Sequence, residues 1–410
     1  MKTIQLLVSA LLAATVHAAA ATLTLTNLTL EAALEFAERE HPRLAEARAL
    51  AEAAGARLQV AGRPANPEAI LRAEQLPFKD TPARDRQFVV GVAQTVSTGA
   101  RLSKAREAGR LEQEALAVRW ETVRREVRRR VHAAFATALY QAEARREQAG
   151  VAEDYSRLTT VIQARLAAGD AVPEELARAE MELARARTEL RRSELLHQQA
   201  KEALTAALGV PDTRVVSLEG RLEATLAVPT LEALAASFTE HPEMREARAA
   251  LRAGEARVEL AEAERIPDVT AELLYRRLEA TRQDTVDVGL RIPLPLFNSG
   301  QARVREARAE AAVAEARVRQ TEVELRARII AAHTELRAAL AQSRALKEEI
   351  LPRAEMVLKA AETRHAAGDL ALGELLVVRR DAAAVRLSHL ESLRDVMRAG
   401  AELLIYFKSP

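Results

Sequence analysis

The chain has 410 residues, of which 49% are hydrophobic but only 3% aromatic, with 60 Lys+Arg against 59 Asp+Glu. A formal charge of +1 argues against nucleic acid as a partner, and the absence of cysteine excludes disulfides, thiolate metal sites, a cysteine nucleophile and a lipid on an N-terminal cysteine. Alanine, glutamate, arginine and leucine dominate, the composition of long helices packed closely together rather than of a compact mixed domain.

The chain opens like an export signal. Lys2 supplies a positive start, Ile4 to Val16 a short apolar run, and Ala18 to Ala21 small-residue cleavage sites, so residues 1–21 are expected to be a signal peptide. No later stretch is apolar for the roughly 18 residues a spanning helix needs. A mature chain that enters a membrane must therefore do so as a β-barrel.

Residues 22–212 read as one structural unit. A short helix from Leu30 to Val60 precedes a β-hairpin at about 67–96, in which Phe88, Val90, Val92 and Val96 alternate with other residues. Pro67 to Leu76 is a poorer strand. From Arg101 to Leu166 no proline interrupts a helical pattern, and Leu116, Trp120, Val123 and Val127 step by four, three and four like a coiled-coil seam. Such a helix extends roughly 100 Å. Arg124, Arg125, Arg128, Arg129 and Arg130 interleave with Val123, Val127 and Val131, which reads as a solvated helix face. A turn at Gly169 and Asp170 leads into a returning helix, Pro173 to Leu208, which completes a helical hairpin over about 101–208.

After a linker at 213–229, residues 230–410 repeat the first unit. Thr29-Leu30-Glu31-Ala32 returns as Thr230-Leu231-Glu232-Ala233, His41-Pro42 as His241-Pro242, and Glu46-Ala47-Arg48-Ala49 as Glu246-Ala247-Arg248-Ala249. Pro67 is answered by Pro267, and Val90-Gly91-Val92 by Val288-Gly289-Leu290. Repeated offsets near 200 residues indicate a tandem duplication. The second unit has a short helix from Leu231 to Ala263, a hairpin at about 268–294 and a helical hairpin at about 300–407. In that β-hairpin Val269, Ala271, Leu273 and Tyr275 alternate with Thr270, Glu272, Leu274 and Arg276, while Val286, Val288, Leu290 and Ile292 alternate with Asp287, Gly289 and Arg291. Each run has about the ten residues of a membrane-spanning barrel strand. Four strands cannot close a barrel, so a barrel requires several copies of the chain.

The long second helix, Gln301 to His365, and its return, Glu374 to Phe407, meet at Ala366-Ala367-Gly368-Asp369, which mirrors Ala167-Ala168-Gly169-Asp170. His41 and His241 precede prolines and mark a shared helix break, and Thr98-Gly99 and Ser299-Gly300 read as turn and cap residues. The eight histidines lack ligand spacing, and there is no phosphate loop, catalytic triad or zinc motif. No enzyme, cofactor or resident metal is expected.

Leader, duplicated unit, two β-hairpins, two very long helices and two Gly-Asp turns together resemble the TolC-like outer-membrane efflux proteins over the whole mature chain. The phrases Glu40-His41-Pro42, Asn66-Pro67-Glu68 and Ile292-Pro293-Leu294-Pro295-Leu296-Phe297-Asn298 are most similar to the branch serving cobalt, zinc and cadmium export. The resemblance implies a mainly α fold with a small β part. It also implies a homotrimer, with twelve strands in one outer-membrane barrel continued by a periplasmic barrel of twelve helices. It implies partnership with a periplasmic adaptor and a proton-driven inner-membrane transporter, passive conduction of divalent heavy-metal cations, and contact with outer-membrane lipid. Multidrug or type I secretion channels share this fold, and a soluble periplasmic coiled-coil adaptor or spacer is the structural alternative. By the same resemblance, Ala167, Ala168, Gly169, Asp170, Ala366, Ala367, Gly368 and Asp369 are the adaptor-docking tips. Glu374, with Asp381 two turns on, is the candidate constriction ring, where three copies would gather negative charge and attract cations. Val377, Val378, Arg379 and Arg380 lie between, which departs from a second acidic ring on the next turn.

Overall fold

The computed structural model describes residues 23–76, 86–210, 213–222, 228–404 and 406. The expected signal peptide at 1–21 lies outside the described residues, as do the first hairpin's connection at 77–85, part of the linker and the expected last helical residue, Phe407. The elements run β1 Leu23–Leu25, α1 Leu30–Glu40, α2 Pro42–Val60, β2 Glu68–Glu74, β3 Gln87–Val96, α3 Arg101–Ala167, α4 Pro173–Leu208 and β4 Thr213–Val215. They continue as α5 Leu231–Ser237, α6 Pro242–Ala263, β5 Val269–Leu278, β6 Gln283–Arg291, α7 Gln301–Ala345, a π-helical turn Leu346–Ile350, α8 Leu351–Ala366 and α9 Leu372–Leu404. Among the described residues no helix is long and apolar enough to cross a membrane.

Two compact units are assembled from interleaved stretches of chain. The first, residues 43–124 and 231–330, carries an antiparallel sheet in the order β2-β3-β5-β6, built from two hairpins separated in the chain by helices and by β4, which pairs with β1. Its helices are α2, α5, α6 and the neighbouring parts of α3 and α7. Val304, Ala307 and Ala261 bury together where α6 meets α7. Ion pairs tie neighbouring helices: Arg57 to Glu112 at 2.9 Å, Lys104 to Glu259 at 2.6 Å and Arg245 to Glu121 at 3.0 Å. Exposed pairs of this kind contribute about 0–1 kcal/mol each, so they set register more than stability.

The second unit, the described parts of 1–42, 125–230 and 331–410, is helical apart from the short parallel pair β1 and β4. Its buried stripe on α3 runs Val127, Val131, Phe135, Ala138 and Leu139, whereas Leu116, Trp120 and Val123 of the expected seam are only half-buried. The clustered arginines are not a free face. Arg128 pairs with Glu38, Arg129 with Glu402 at 3.2 Å and Arg130 with Glu126 at 2.5 Å. Proline at the first position of α2 and α6 produces the two helix breaks: His41 closes α1, and His241 caps α6 by accepting the Glu243 amide at 3.3 Å. The second long helix differs from the first, because Pro352 cannot donate to the carbonyl four residues back and the π-helical turn precedes it.

Three half-buried imidazoles make the stability of this unit pH-dependent. Burial lowers the pKa of His132, with Arg128 adding to it, and lowers His197 beside Lys201, Arg145 and Arg146, and His389 beside Lys347. Each binds a proton less readily folded than unfolded, so stability is full above the ordinary histidine value of about 6.5 and declines as pH falls through it. The thermal midpoint should drop between about pH 7 and pH 5. His132→Asn should flatten that slope; an unchanged slope would remove His132 from the account.

Candidate functional site

Three surfaces stand out: the two hairpin turns, the start of α9 and the outer face of the sheet. At the first turn the Gly169 amide donates to Leu166 O at 3.1 Å and the Asp170 amide to Arg165 O at 2.8 Å, with Gly169 at φ 84°. This is a Schellman close, which satisfies the last carbonyls of α3. The second turn repeats it: Gly368 to His365 O at 3.1 Å, Asp369 to Arg364 O at 2.9 Å, and Gly368 at φ 85°. Arg165 and Arg364 then donate to the Asp170 and Asp369 carbonyls at 3.1 and 3.3 Å. Ala167, Ala168, Gly169, Asp170, Ala366, Ala367, Gly368 and Asp369 are all exposed. A side chain built on either glycine would meet no atom within 4 Å. The turns are thus rigid by backbone bonding and uncovered by their own chain.

Glu374 lies in the first turn of α9, where the helix dipole favours a carboxylate, and both it and Asp381 are exposed. A spacing of seven residues puts them on one helix face two turns apart. Leu372 and Leu376 on the opposite side bury against Tyr155, Ile162, Ala179 and Leu183 of α3 and α4, which fixes the orientation of Glu374 relative to the first hairpin. The Tyr155 hydroxyl donates to Leu376 O at 3.4 Å. Two neighbours were not legible in the sequence. Arg178 of α4 lies so close to Gly373 that a side chain there would come within 2.8 Å of its guanidinium, and Arg379 is held by Glu362 at 2.8 Å. Asp381 stands 3.9 Å from Arg380 and on the edge of an apolar groove lined by Ile350, Val357, Val378 and Val385. Among the described residues no group of three or more His, Asp or Glu side chains could hold a metal ion.

The sheet has two unlike faces. On one, the register aligns Leu71, Val90, Tyr275 and Val286 in one row and Ala69, Val92, Leu273 and Val288 in the next. The large side chains of both rows are exposed, Val288 by 79%. On the other face Arg276 donates to Glu74 at 2.9 Å, Gln87 at 2.5 Å and Asp287 at 3.1 Å, joining all four strands, and Arg291 pairs with Glu272. Val89 is buried there at 1% exposure. Among the described residues both outer strands, β2 and β6, pair on one side only.

The glycines separate backbone strain from packing. Gly169→Ala and Gly368→Ala should each cost about 1 kcal/mol, the penalty of a left-handed residue in open space. Gly209, which closes α4 at φ 81°, differs because a side chain there would lie 2.8 Å from both His41 and Pro42. Gly209→Ala should therefore lower the thermal midpoint clearly more than either turn variant, and equal losses at all three positions would show that the His41 contact relaxes.

Residues 234–404 match the model of the family described as outer membrane efflux protein. Cobalt-zinc-cadmium resistance protein CzcC of Cupriavidus metallidurans is 28% identical over 377 residues, covering 92% of this chain and 89% of that protein. The CmeC outer membrane channel of Campylobacter jejuni superposes with a TM-score of 0.78 at 14% identity, over 92% of this chain and 85% of the other. The outer membrane protein VceC of Vibrio cholerae superposes with a TM-score of 0.73 at 18% identity, over 92% and 95%. At these identities the solved structures share the fold. Together with the family match over residues 234–404 and the near full-length similarity to CzcC, they show that the chain is similar to the outer membrane efflux proteins.

Proposed function

We propose that three copies of this chain form a passive outer-membrane channel for divalent heavy-metal cations. The observation that carries the channel is the four-stranded sheet with one apolar exposed face, one polar face and two free edges. Three such sheets joined edge to edge give twelve strands, enough to leave an open bore. The apolar rows then meet lipid and the Arg276 network lines the interior. The helices continue the passage as a periplasmic barrel. Similarity to CzcC supports the choice of cargo. The matching order of elements in the two halves supports an origin by tandem duplication, with residues 22–212 and 230–410 as the repeats.

The energy comes from elsewhere: a proton-driven transporter in the inner membrane hands cargo to a periplasmic adaptor, which docks on the turns at 167–170 and 366–369. Their exposure and rigid backbone suit a docking surface. Glu374 from each copy forms the constriction ring and draws cations in, and Arg178 next to Gly373 moderates that charge.

Loss of the gene should sensitise cells to zinc, cobalt and cadmium while leaving resistance to antibiotics and detergents unchanged; sensitivity to drugs alone would keep the channel and change its cargo. The protein should fractionate with the outer membrane as a heat-sensitive oligomer, and a soluble periplasmic band would sink the channel itself. In planar bilayers Glu374→Ala should reduce cation selectivity without dissociating the trimer. Unchanged selectivity would remove the ring.

A further inference from the structure

β6 ends at Arg291, and its sequel explains why: Pro293 and Pro295 carry no amide hydrogen and cannot extend a strand ladder. The apolar alternation nevertheless continues. Val286, Val288 and Leu290 are followed in the same parity by Ile292, Leu294 and Leu296, and then by Phe297. These side chains have almost no protein cover: Leu294 is 73% exposed, Leu296 78% and Phe297 102%. The segment is nonetheless held in shape by its backbone. The Leu296 amide donates to Leu294 O at 2.9 Å across Pro295, and Gly300 donates to the Asn298 side chain at 3.1 Å. A rigid loop that displays its apolar side chains is a surface awaiting an apolar environment.

Cations lie at the same end of the sheet. Every strand of the sheet joins a helix at this end, and the junctions carry Arg63 after α2, Arg265 after α6 and Arg305 at the start of α7, all exposed. Arg101 and Arg303 are neutralised by Asp268 and Glu264. Arg63 and Arg305 have no acidic partner within hydrogen-bonding reach among the described residues, and Arg265 donates to Ser299 O at 3.3 Å. Apolar side chains continuous with a lipid-facing surface, flanked by unpaired guanidinium groups, match the boundary where acyl chains give way to phosphates.

We infer that Ile292, Leu294, Leu296 and Phe297 form an interfacial collar that seats the helical end of the sheet in the phospholipid headgroup layer, with Arg63, Arg265 and Arg305 facing the phosphates. The inference rests on the barrel reading given above. A second copy of the chain is a poorer occupant, because the prolines prevent the segment from pairing with a neighbouring strand edge.

The test uses the full chain with Trp120→Phe, which removes its single tryptophan. Phe297→Trp, Leu296→Trp and, as a mid-sheet control, Val288→Trp are reconstituted separately in vesicles of phosphatidylcholine brominated either near the headgroup or deep in the acyl chains. Phe297→Trp and Leu296→Trp should lose roughly half their emission to the shallow bromines and less to the deep ones, and Val288→Trp the reverse. Quenching of Val288→Trp with no quenching at 296 and 297 would overturn the collar but spare the barrel; blue-shifted, unquenched emission there would mean cover by another copy and would overturn it equally. Stronger quenching at 297 by the deep bromines would overturn the headgroup placement. If Val288→Trp is not quenched by either lipid, the barrel reading itself fails.

Discussion

An unpaired backbone amide or carbonyl in hydrocarbon costs several kcal/mol, and in the proposed barrel that penalty organises the sheet. The outer strands β2 and β6 each expose one edge, so the sheet cannot sit in lipid as a single chain. In the proposed barrel edge-to-edge assembly satisfies those groups, and the two faces follow from the period of two: Val90, Leu273 and Val288 turn one way and Val89, Arg276 and Asp287 the other. A one-residue slip of register would move the Arg276 network to the apolar face. Its bonds to Glu74, Gln87 and Asp287 on the three other strands hold the register against that slip.

In the helical unit the constraint changes from edges to spacing. Long helices running side by side pack most closely when the contact positions are small, and Ala33, Ala37, Ala136, Ala138, Ala179 and Ala399 are all buried at 1% exposure or less. This accounts for a composition rich in apolar residues and poor in aromatics. Alanine gives little area per residue, so the few large buried side chains, Phe135, Leu204, Leu336 and Val396 among them, carry a disproportionate share of the burial. Arginine–glutamate pairs between helices add register.

How much of this was legible depended on how local the signal was. β3, β5 and β6 show period two in their own residues, whereas β2 hides it because alanine occupies Ala69 and Ala73 on its outer face around Leu71. The helix breaks at His41 and His241 are written in the following prolines. Pro352 was equally visible, but Gln301 to His365 was read as one helix and the π-helical turn before the proline was missed. The Arg276 network and the approach of Arg178 to Gly373 were not visible, because each needs partners from elements far apart in sequence. Glu374 is a different case: nothing about its neighbours distinguishes it from a dipole-complementing glutamate, and only the family resemblance singled it out.

The π-helical turn has a geometric reason beyond the proline. Ala332, Leu336, Ala339, Ser343 and Leu346 are buried at steps of four, three, four and three, a regular seam against a neighbouring helix. The next inward positions are Leu351, Ala354, Leu358 and Ala361, so a step of five falls where a four belongs and the seam gains one residue. An uninterrupted α-helix would carry that phase error to its end, rotating Val357 away from Val378 and Glu362 away from Arg379. The wider π turn absorbs the extra residue within Leu346–Ile350, where Pro352 has already weakened the α-helical ladder. The phase restored there lets α8 keep its grip on α9, and with it the facing of Glu374.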